Sequence, residues 1–206
     1  MRKTLIFTLW ALLFLVIAGV GLIFTAIAKG KIGYVPPVEE LENPNLKFAT
    51  QIISDDGVTM GTYSYSTENR IYVGYEDLSP HLVNASIATE DERFYSHSGI
   101  DARGTLRAVF SAGSSGGAST ISQQLAKNLF HGSSGSSNKL FRVIQKIKEW
   151  IIAVKLERQY TKNEIIAYYL NTVDFVSNAY GIRSAANIYF NKEPKNLTVE
   201  EAAVLV

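Results

Sequence analysis

Three consecutive acids, Glu90, Asp91 and Glu92, form the part of the sequence best suited to proton transfer. Val83, Ile87 and Glu90 are spaced four and three residues apart, which predicts that Glu90 lies on the apolar stripe of a helix. Burial there would raise the pKa of Glu90 towards the working pH, which suits a general base. Acids at a helix C-terminus also oppose the helix dipole, and such unfavourable residues are typical of functional sites. A solvated acidic helix end is the alternative explanation.

A second polar cluster lies on the helix predicted to begin at Thr120. Its members are four residues apart in two pairs, Gln123 with Lys127 and Gln124 with Asn128. Amides and an ammonium on one helix face can hydrogen-bond sugar hydroxyls and pair with phosphate. Exposed faces more often carry Glu and Lys than paired Gln, although an ordinary solvated face explains the same spacing.

A third cluster consists of Arg142, Lys146 and Glu149, which are spaced four and three residues apart. Two cations and a carboxylate in a row could hold a pyrophosphate directly, or through a divalent cation such as Mg²⁺ on Glu149. The alternative is a salt bridge between Lys146 and Glu149 that contributes only a few tenths of a kcal/mol. The spacing leaves both interpretations open.

The composition excludes several other kinds of site. The sequence contains no cysteine, so disulfides and thiolate metal sites are excluded. His97 follows Glu90 without an HExxH pattern, so we expect it to shape the turn after Glu90 rather than to bind zinc. The formal net charge is +1, which does not favour nucleic-acid binding. Neither a P-loop nor a Rossmann glycine pattern occurs, so no nucleotide cofactor is expected.

An uncharged apolar run from Leu5 to Ala28 precedes these clusters. At about 1.5 Å per residue, a helix of this length spans a hydrocarbon core of about 30 Å. Ala26 and Ala28 resemble a signal-peptide cleavage site, but signal h-regions are only about 7–15 residues long, so we expect a retained anchor. Two basic residues precede the run and two follow it closely, so its orientation is weakly encoded.

The chain divides into three predicted parts. Residues 1–29 are expected to form a transmembrane anchor with a short cytoplasmic N-terminus, residues 30–45 a linker, and residues 46–206 one domain. Of the two serine- and glycine-rich stretches, 111–117 is expected to be a mobile loop over a site and 132–137 a flexible connection. The last predicted helix is still apolar at its end, so we expect a longer protein.

The secondary structure that must position these clusters is mainly helical. Strands are predicted over Phe48–Ile53 and Thr59–Tyr65 around the hairpin signal Asp55-Asp56-Gly57, with a third over Ile71–Tyr75. Helices are predicted to begin at Ser79-Pro80, at Thr120 with Gln123 as its capping-box partner, near Asn138, at Thr161 with Glu164, near Ile182, and at Thr198 with Glu201.

In this order, the clusters resemble the motifs of the peptidoglycan glycosyltransferase family, which includes monofunctional transglycosylases and the N-terminal domain of class A penicillin-binding proteins. The resemblance covers about Phe48 to Val206. The matching segments are Glu90–Gly99 with EDxxFxxHxG, Gly117–Asn128 with GxSTxxQQxxKN, Lys146–Glu149 with the end of RKxxE, Lys162–Asn171, and Ala179–Phe190. Gln145 stands where the family usually has Arg, for which Arg142 would partly compensate, and Val176 replaces a common glycine.

The resemblance implies a mainly α, lysozyme-like fold with a small N-terminal β region, anchored by one transmembrane helix. It places the domain on the extracytoplasmic, periplasmic side of the cytoplasmic (inner) membrane, with Leu106–Phe110 and Leu129–Phe130 dipping into the bilayer. The implied substrates are lipid II and the growing lipid-linked glycan strand. A C-terminal transpeptidase domain and other cell-wall synthesis proteins are the implied partners.

The resemblance also implies roles for individual residues. Glu90 would deprotonate the acceptor hydroxyl, while Lys127, Lys146 and Glu149, the last through Mg²⁺ or another divalent cation, would neutralise the departing pyrophosphate. The residues expected to bind substrate are Asp91, Phe94, His97, Gly117, Ser119, Thr120, Gln123, Gln124, Lys127, Asn128, Arg142, Lys146 and Asn171.

Two other functions fit parts of the same pattern. A lysozyme-like enzyme that cleaves glycans would use Glu90 as an acid without requiring Lys127, Lys146 or a membrane. A non-catalytic, membrane-anchored cell-wall scaffold would tolerate loss of Glu90. Polymerisation assays separate these alternatives from a transferase.

Overall fold

The computed structural model describes residues 2–42, 49–63, 70–111, 117–130 and 138–206. Within these residues the chain is mainly helical, with a single two-stranded sheet, as the sequence predicts. The helices are α1 (Arg2–Ala28), α2 (Val38–Glu42), α3 (Pro80–Glu90), α4 (Ala102–Phe110), α5 (Ile121–Phe130), α6 (Lys139–Gln159), α7 (Lys162–Thr172), α8 (Ile182–Phe190) and α9 (Val199–Leu205). The strands are β1 (Thr50–Ile53) and β2 (Thr59–Tyr63). Both serine- and glycine-rich stretches lie almost wholly outside the described residues.

Local capping signals set most of the helix starts. The side chain of Ser79 accepts a backbone hydrogen bond from His81, with Pro80 at the first helical position. Asn138 caps α6 in the same way. Complete capping boxes begin α7 and α9, each formed by a threonine and a glutamate three residues later. These predicted helix starts are confirmed.

The strands β1 and β2 pair antiparallel, with Thr50 opposite Tyr63. The predicted third strand over Ile71–Tyr75 is wrong, because a side chain takes the place of a pairing strand. The N–H of Val73 donates to Asn171 Oδ1 at 2.9 Å, and Asn171 Nδ2 donates to the carbonyl of Val73 at 2.8 Å. The predicted strand ends at residues 48 and 64–65 lie outside the described residues.

The core forms where α5 packs against α6 and α7. Ile121 and Leu125 on α5 are fully buried, as the helical spacing predicts, and Leu129 packs at the edge of the same core. Burial of each such side chain contributes about 1.5–3 kcal/mol to the free energy of unfolding. The other large, fully buried side chains of the domain are Leu41, Leu82, Phe94, Ile152, Leu156, Ile165, Ile166, Leu170 and Ile182. The helix α5 therefore holds its polar residues in a fixed place.

Among the described residues, α1 is the one helix long and apolar enough to cross a membrane. Most of its large side chains are exposed, but its C-terminal end touches the domain. The ring of Phe24 lies 6.2 Å from that of Trp150 on α6, and Ile27 is fully buried. This arrangement fits a single-pass anchor whose C-terminal end packs against α6.

We expect the apolar helix to be retained in the mature protein, because cleavage after Ala28 would remove the buried Ile27 and uncover Trp150. Mass spectrometry of the membrane-extracted protein is expected to find the N-terminal peptide intact. A mature N-terminus near Lys29 would show that the run is a cleaved signal peptide.

The predicted linker after the anchor is packed against α6 in its described part. Lys155 Nζ donates to the carbonyl of Pro36 at 3.0 Å, and the hydroxyl of Tyr160 donates to the carbonyl of Leu41 at 2.6 Å. The side chain of Leu41 is fully buried. We call residues 29–42 the strap. The strap lies beside the C-terminal half of α6 and connects it to the end of the anchor.

Candidate active site

Glu90 is the last residue of α3, and its side chain is exposed. The predicted burial of Glu90 is wrong, because the helix ends there and the chain turns at Asp91, whose φ is −159°. Asp91 takes the inward position instead and is 7% exposed. The carboxylate of Glu90 is therefore accessible to a substrate.

Two neighbouring side chains orient Glu90. Gln124 Nε2 donates to Glu90 Oε2 at 2.6 Å, and the hydroxyl of Tyr169 donates to Gln124 Oε1 at 3.3 Å. Burial, together with the nearby charge of Glu90, raises the pKa of Tyr169, so it remains a protonated donor. The two bonds fix the direction of the Gln124 amide, and the amide fixes one oxygen of Glu90.

Glu90 lies on the wall of a large cavity of about 420 Å³. Tyr169 forms part of the same wall, and Phe175, Val176 and Tyr189 contribute apolar and aromatic surface. We call this space the large cavity. The wall also includes a second carboxylate, that of Asp174, and apolar walls with a few polar groups are typical of sites that bind an organic ligand in a fixed orientation.

Glu90 also lies on the wall of a second, smaller cavity of about 170 Å³, which we call the polar cavity. Arg93, Asp101, Arg107 and Ser119 line this cavity. Arg93 Nε donates to Asp101 Oδ2 at 3.1 Å, and this hydrogen bond lowers the pKa of Asp101 below its usual value. Glu90 thus stands between an apolar space and a polar space that contains two guanidinium groups.

The sequence analysis missed Arg107. The residue belongs to α4, where the resemblance drew attention to the apolar side chains of Leu106 and Phe110. Both are exposed, as expected of a membrane-contacting segment, whereas the predicted Leu129–Phe130 packs against the core. The available signal was the amphipathic pattern of α4, which places Arg103 and Arg107 one turn apart.

Lys146 connects α6 to the edge of the polar cavity. Its Nζ donates to Ser119 Oγ at 2.7 Å and to Glu149 Oε2 at 3.0 Å. The side chain of Lys146 is 39% exposed, while that of Glu149 is only 8% exposed. The salt bridge considered in the sequence analysis is therefore present. The ammonium also stands beside Ser119, which lines the cavity.

The predicted divalent cation does not fit these residues well. In the described ranges, no group of three or more His, Asp or Glu side chains is placed to hold a metal ion. Glu149 already accepts a hydrogen bond from Lys146, whose positive charge would repel a cation bound to the same carboxylate.

Asp91 and His97 form a buried support beneath Glu90. His97 Nε2 lies 3.0 Å from both oxygens of Asp91, and the backbone N–H of Gly99 donates to His97 Nδ1 at 3.2 Å. The N–H of Ile121 donates to Asp91 Oδ2 at 3.0 Å, so the acid caps the N-terminus of α5. Asp91 therefore opposes the dipole of α3 but complements the dipole of α5. His97 shapes the turn, as expected.

Gly99 links the same turn to α5. Its φ is +92°, and a Cβ there would lie 2.9 Å from the carbonyl carbon of Ala153. Its own carbonyl accepts hydrogen bonds from Thr120 Oγ1 at 2.7 Å and Gln123 Nε2 at 3.3 Å. Gln123 is therefore buried instead of exposed, and its predicted capping box is only half formed, since Thr120 Oγ1 accepts its backbone N–H. Gln124 alone of this pair faces the site.

Two further predicted contacts with substrate are not supported by their positions. Phe94 is fully buried beneath the ammonium of Lys162, which lies 4.3 Å from the ring centroid. Asn171 is 1% exposed, and its side chain bonds to the backbone of Val73 and Ala167. These residues position the fold around the site rather than face either cavity.

The remaining predicted residues are exposed, and all except Gly117 line neither cavity. Gly117 lines the polar cavity. Lys127 and Asn128 are exposed on α5 and line neither cavity, and Arg142 is exposed near the start of α6. Their predicted roles stay predictions. The structure gathers Glu90, Gln124 and Ser119, with Lys146 and Glu149 behind Ser119.

We expect Asp91→Ala to lower the free energy of unfolding by about 2–4 kcal/mol, because it leaves the buried donors on Ile121 and His97 without an acceptor. Chemical denaturation measures this loss. Glu92→Ala is the matched control, since the side chain of Glu92 is 84% exposed, and its effect is expected to be within about 0.5 kcal/mol. Equal stability of the two variants would contradict the supporting role of Asp91.

Comparison with known proteins agrees with these motifs. Residues 56–206 match the family described as Transglycosylase. The chain is 40% identical over 175 residues to penicillin-binding protein 1A of Escherichia coli (strain K12), covering 83% of this chain and 20% of that protein. It is 43% identical over 164 residues to penicillin-binding protein 1F of Bacillus subtilis (strain 168), covering 78% and 22%. The chain thus spans about a fifth of these relatives. By this match, and by the motif residues assembled around Glu90, the chain belongs to the transglycosylase family.

Proposed function

We propose that this chain is an inverting peptidoglycan glycosyltransferase, which joins lipid II units into β-1,4 glycan strands and releases polyprenyl pyrophosphate. The position of Glu90 carries the proposal. Glu90 is exposed and lines both the large cavity and the polar cavity, so one residue adjoins two spaces. Membership of the transglycosylase family supports a transfer between two sugar substrates.

In this proposal the large cavity receives the acceptor N-acetylglucosamine. Glu90 takes the proton from its 4-hydroxyl, and the oxygen attacks C1 of the donor N-acetylmuramic acid. The bond from C1 to the pyrophosphate oxygen breaks as the new bond forms, so the configuration inverts from α to β. Gln124, whose amide is itself held by Tyr169, donates to one oxygen of Glu90, which leaves the other oxygen to accept the proton.

The pyrophosphate gains negative charge as it leaves, and nearby cations stabilise this charge. The polar cavity supplies them. Arg107 lines it, and its side chain makes no hydrogen bond or ion pair with the other described residues, while Lys146 reaches its edge through Ser119. Arg93 is the weaker candidate, because Asp101 already neutralises it. Lys146 also forms a salt bridge with Glu149. A loss of rate on replacing Lys146 must therefore be compared with the accompanying loss of stability.

The lipid-linked substrates require access from the membrane. The anchor α1 and the exposed Leu106 and Phe110 on α4 supply apolar surface for that contact. We propose that the domain lies on the extracytoplasmic side of the cytoplasmic membrane. The relatives are named penicillin-binding proteins, and a transpeptidase domain is therefore the proposed partner of this one.

The full chain in detergent, given lipid II, is expected to produce glycan strands that resolve as a ladder on a gel. A lysozyme-like enzyme would instead shorten preformed glycan and leave lipid II unused. A scaffold protein would do neither. Absence of polymer from folded protein, with lipid II intact or with glycan cleaved, would overturn the proposal.

A further inference from the structure

Three consecutive residues near the large cavity have left-handed backbone conformations. The φ angles are 66° at Val176, 50° at Ser177 and 61° at Asn178. Asparagine adopts this region readily, but a β-branched residue such as valine is a clear outlier there. Val176 is therefore the most strained of the three.

The surrounding structure holds Val176 in this conformation. Its N–H donates to Asp174 Oδ1 at 3.0 Å, and its carbonyl accepts from the N–H of Ala179 at 2.8 Å. The hydroxyl of Tyr189 donates to the neighbouring carbonyl of Phe175 at 2.8 Å. Bonds from both sides of the turn thus fix the backbone, and the strain is not released locally.

Burial of the Val176 side chain does not offset this strain. The side chain of Val176 is 72% exposed, so it buries little apolar surface, and glycine would suit the backbone better. The valine provides apolar surface in the large cavity, which Glu90 also lines. Strain that serves no packing is characteristic of sites with a functional contact.

We infer that Val176 is an acceptor-binding residue, which contacts the apolar C–H face of the acceptor sugar bound in the large cavity. This inference depends on the proposed function. Phe175 and Tyr189 flank Val176 on the same wall, and aromatic and aliphatic groups together suit the flat apolar face of a pyranose ring. The valine therefore helps to hold the 4-hydroxyl towards Glu90.

Val176→Gly separates strain from contact in the full chain. We expect the melting temperature to rise by about 2–4 °C, because the left-handed strain is relieved. We expect KM for lipid II to rise roughly tenfold with a smaller change in kcat, because an apolar contact is lost. Val176→Thr keeps the branched, strained residue but replaces a methyl by a hydroxyl. It should therefore raise KM without raising the melting temperature.

Ser177→Gly is the matched control. Ser177 has the same backbone conformation but does not line the large cavity, so its replacement should raise the melting temperature with KM unchanged. An unchanged KM in Val176→Gly, in an otherwise active protein, would overturn the inference and leave the proposed function standing. Lower melting temperatures for both glycine variants would overturn the assignment of strain. Failure of the unaltered chain to polymerise lipid II would overturn the proposed function itself.

Discussion

Glu90→Gln is expected to leave the fold intact and to reduce polymerisation of lipid II by about 100-fold or more. The exposed side chain accepts a hydrogen bond from Gln124, and the amide oxygen of a glutamine can still accept that bond. The amide cannot accept the proton of the acceptor hydroxyl, so the loss falls on the chemical step. Initial rates with lipid II and thermal melting measure the two effects separately.

Glu193→Gln is the control for the removal of one negative charge. Glu193 is exposed, pairs with Arg183 at 3.1 Å and lines neither cavity, so its replacement should leave the rate unchanged. Turnover near the normal value by a folded Glu90→Gln protein would show that another group is the base. Asp174, which also lines the large cavity, would then be the first alternative.

Lys146→Met is expected to reduce turnover by about 100-fold if the cation stabilises the departing pyrophosphate. The variant is also expected to lose stability, because it leaves the buried carboxylate of Glu149 without its partner. A change in rate alone is therefore ambiguous. The double variant Lys146→Met with Glu149→Gln removes both charges together and avoids the unpaired carboxylate.

The double variant is expected to recover stability to within about 1 kcal/mol of the unaltered protein while its turnover stays low. Lys146→Arg keeps the positive charge and the ion pair with Glu149. It should therefore retain more activity than Lys146→Met or the double variant. Initial rates and denaturation of the four proteins test this. Recovery of turnover together with stability in the double variant would show that the salt bridge is structural, and would direct attention to Arg107.

The helix starts could be predicted from the sequence because each depends on neighbouring residues. Ser79-Pro80 and the pair Thr161 and Glu164 act within one turn, so their spacing contains the needed information. The missing third strand could not be predicted in this way. The backbone N–H and C=O of Val73, in the middle of the predicted strand, both bond to the side chain of Asn171. Asn171 is far along the chain, and only the packing of α7 brings it to Val73.

The sequence predicted some of the residues that line the cavities, but not which members of each motif are buried. Gln123 and Gln124 are adjacent on one helix, and only the positions of Gly99 and Glu90 decide which is buried and which faces the site. Likewise, Asp91 rather than Glu90 takes the buried position, because the helix ends between them. Periodicity gives the angle of a side chain on its helix, whereas these outcomes depend on where the helix stops.

The end of α1 and the strap both connect the proposed membrane anchor to α6. Phe24 of α1 contacts Trp150, Pro36 of the strap accepts a hydrogen bond from Lys155, and Lys146 lies one turn before Trp150 on the same helix. We expect an anchor that tilts to match a thinner bilayer to pull on the helix that carries this ammonium. The rate of the proposed reaction is then expected to depend on the chain length of the surrounding lipids.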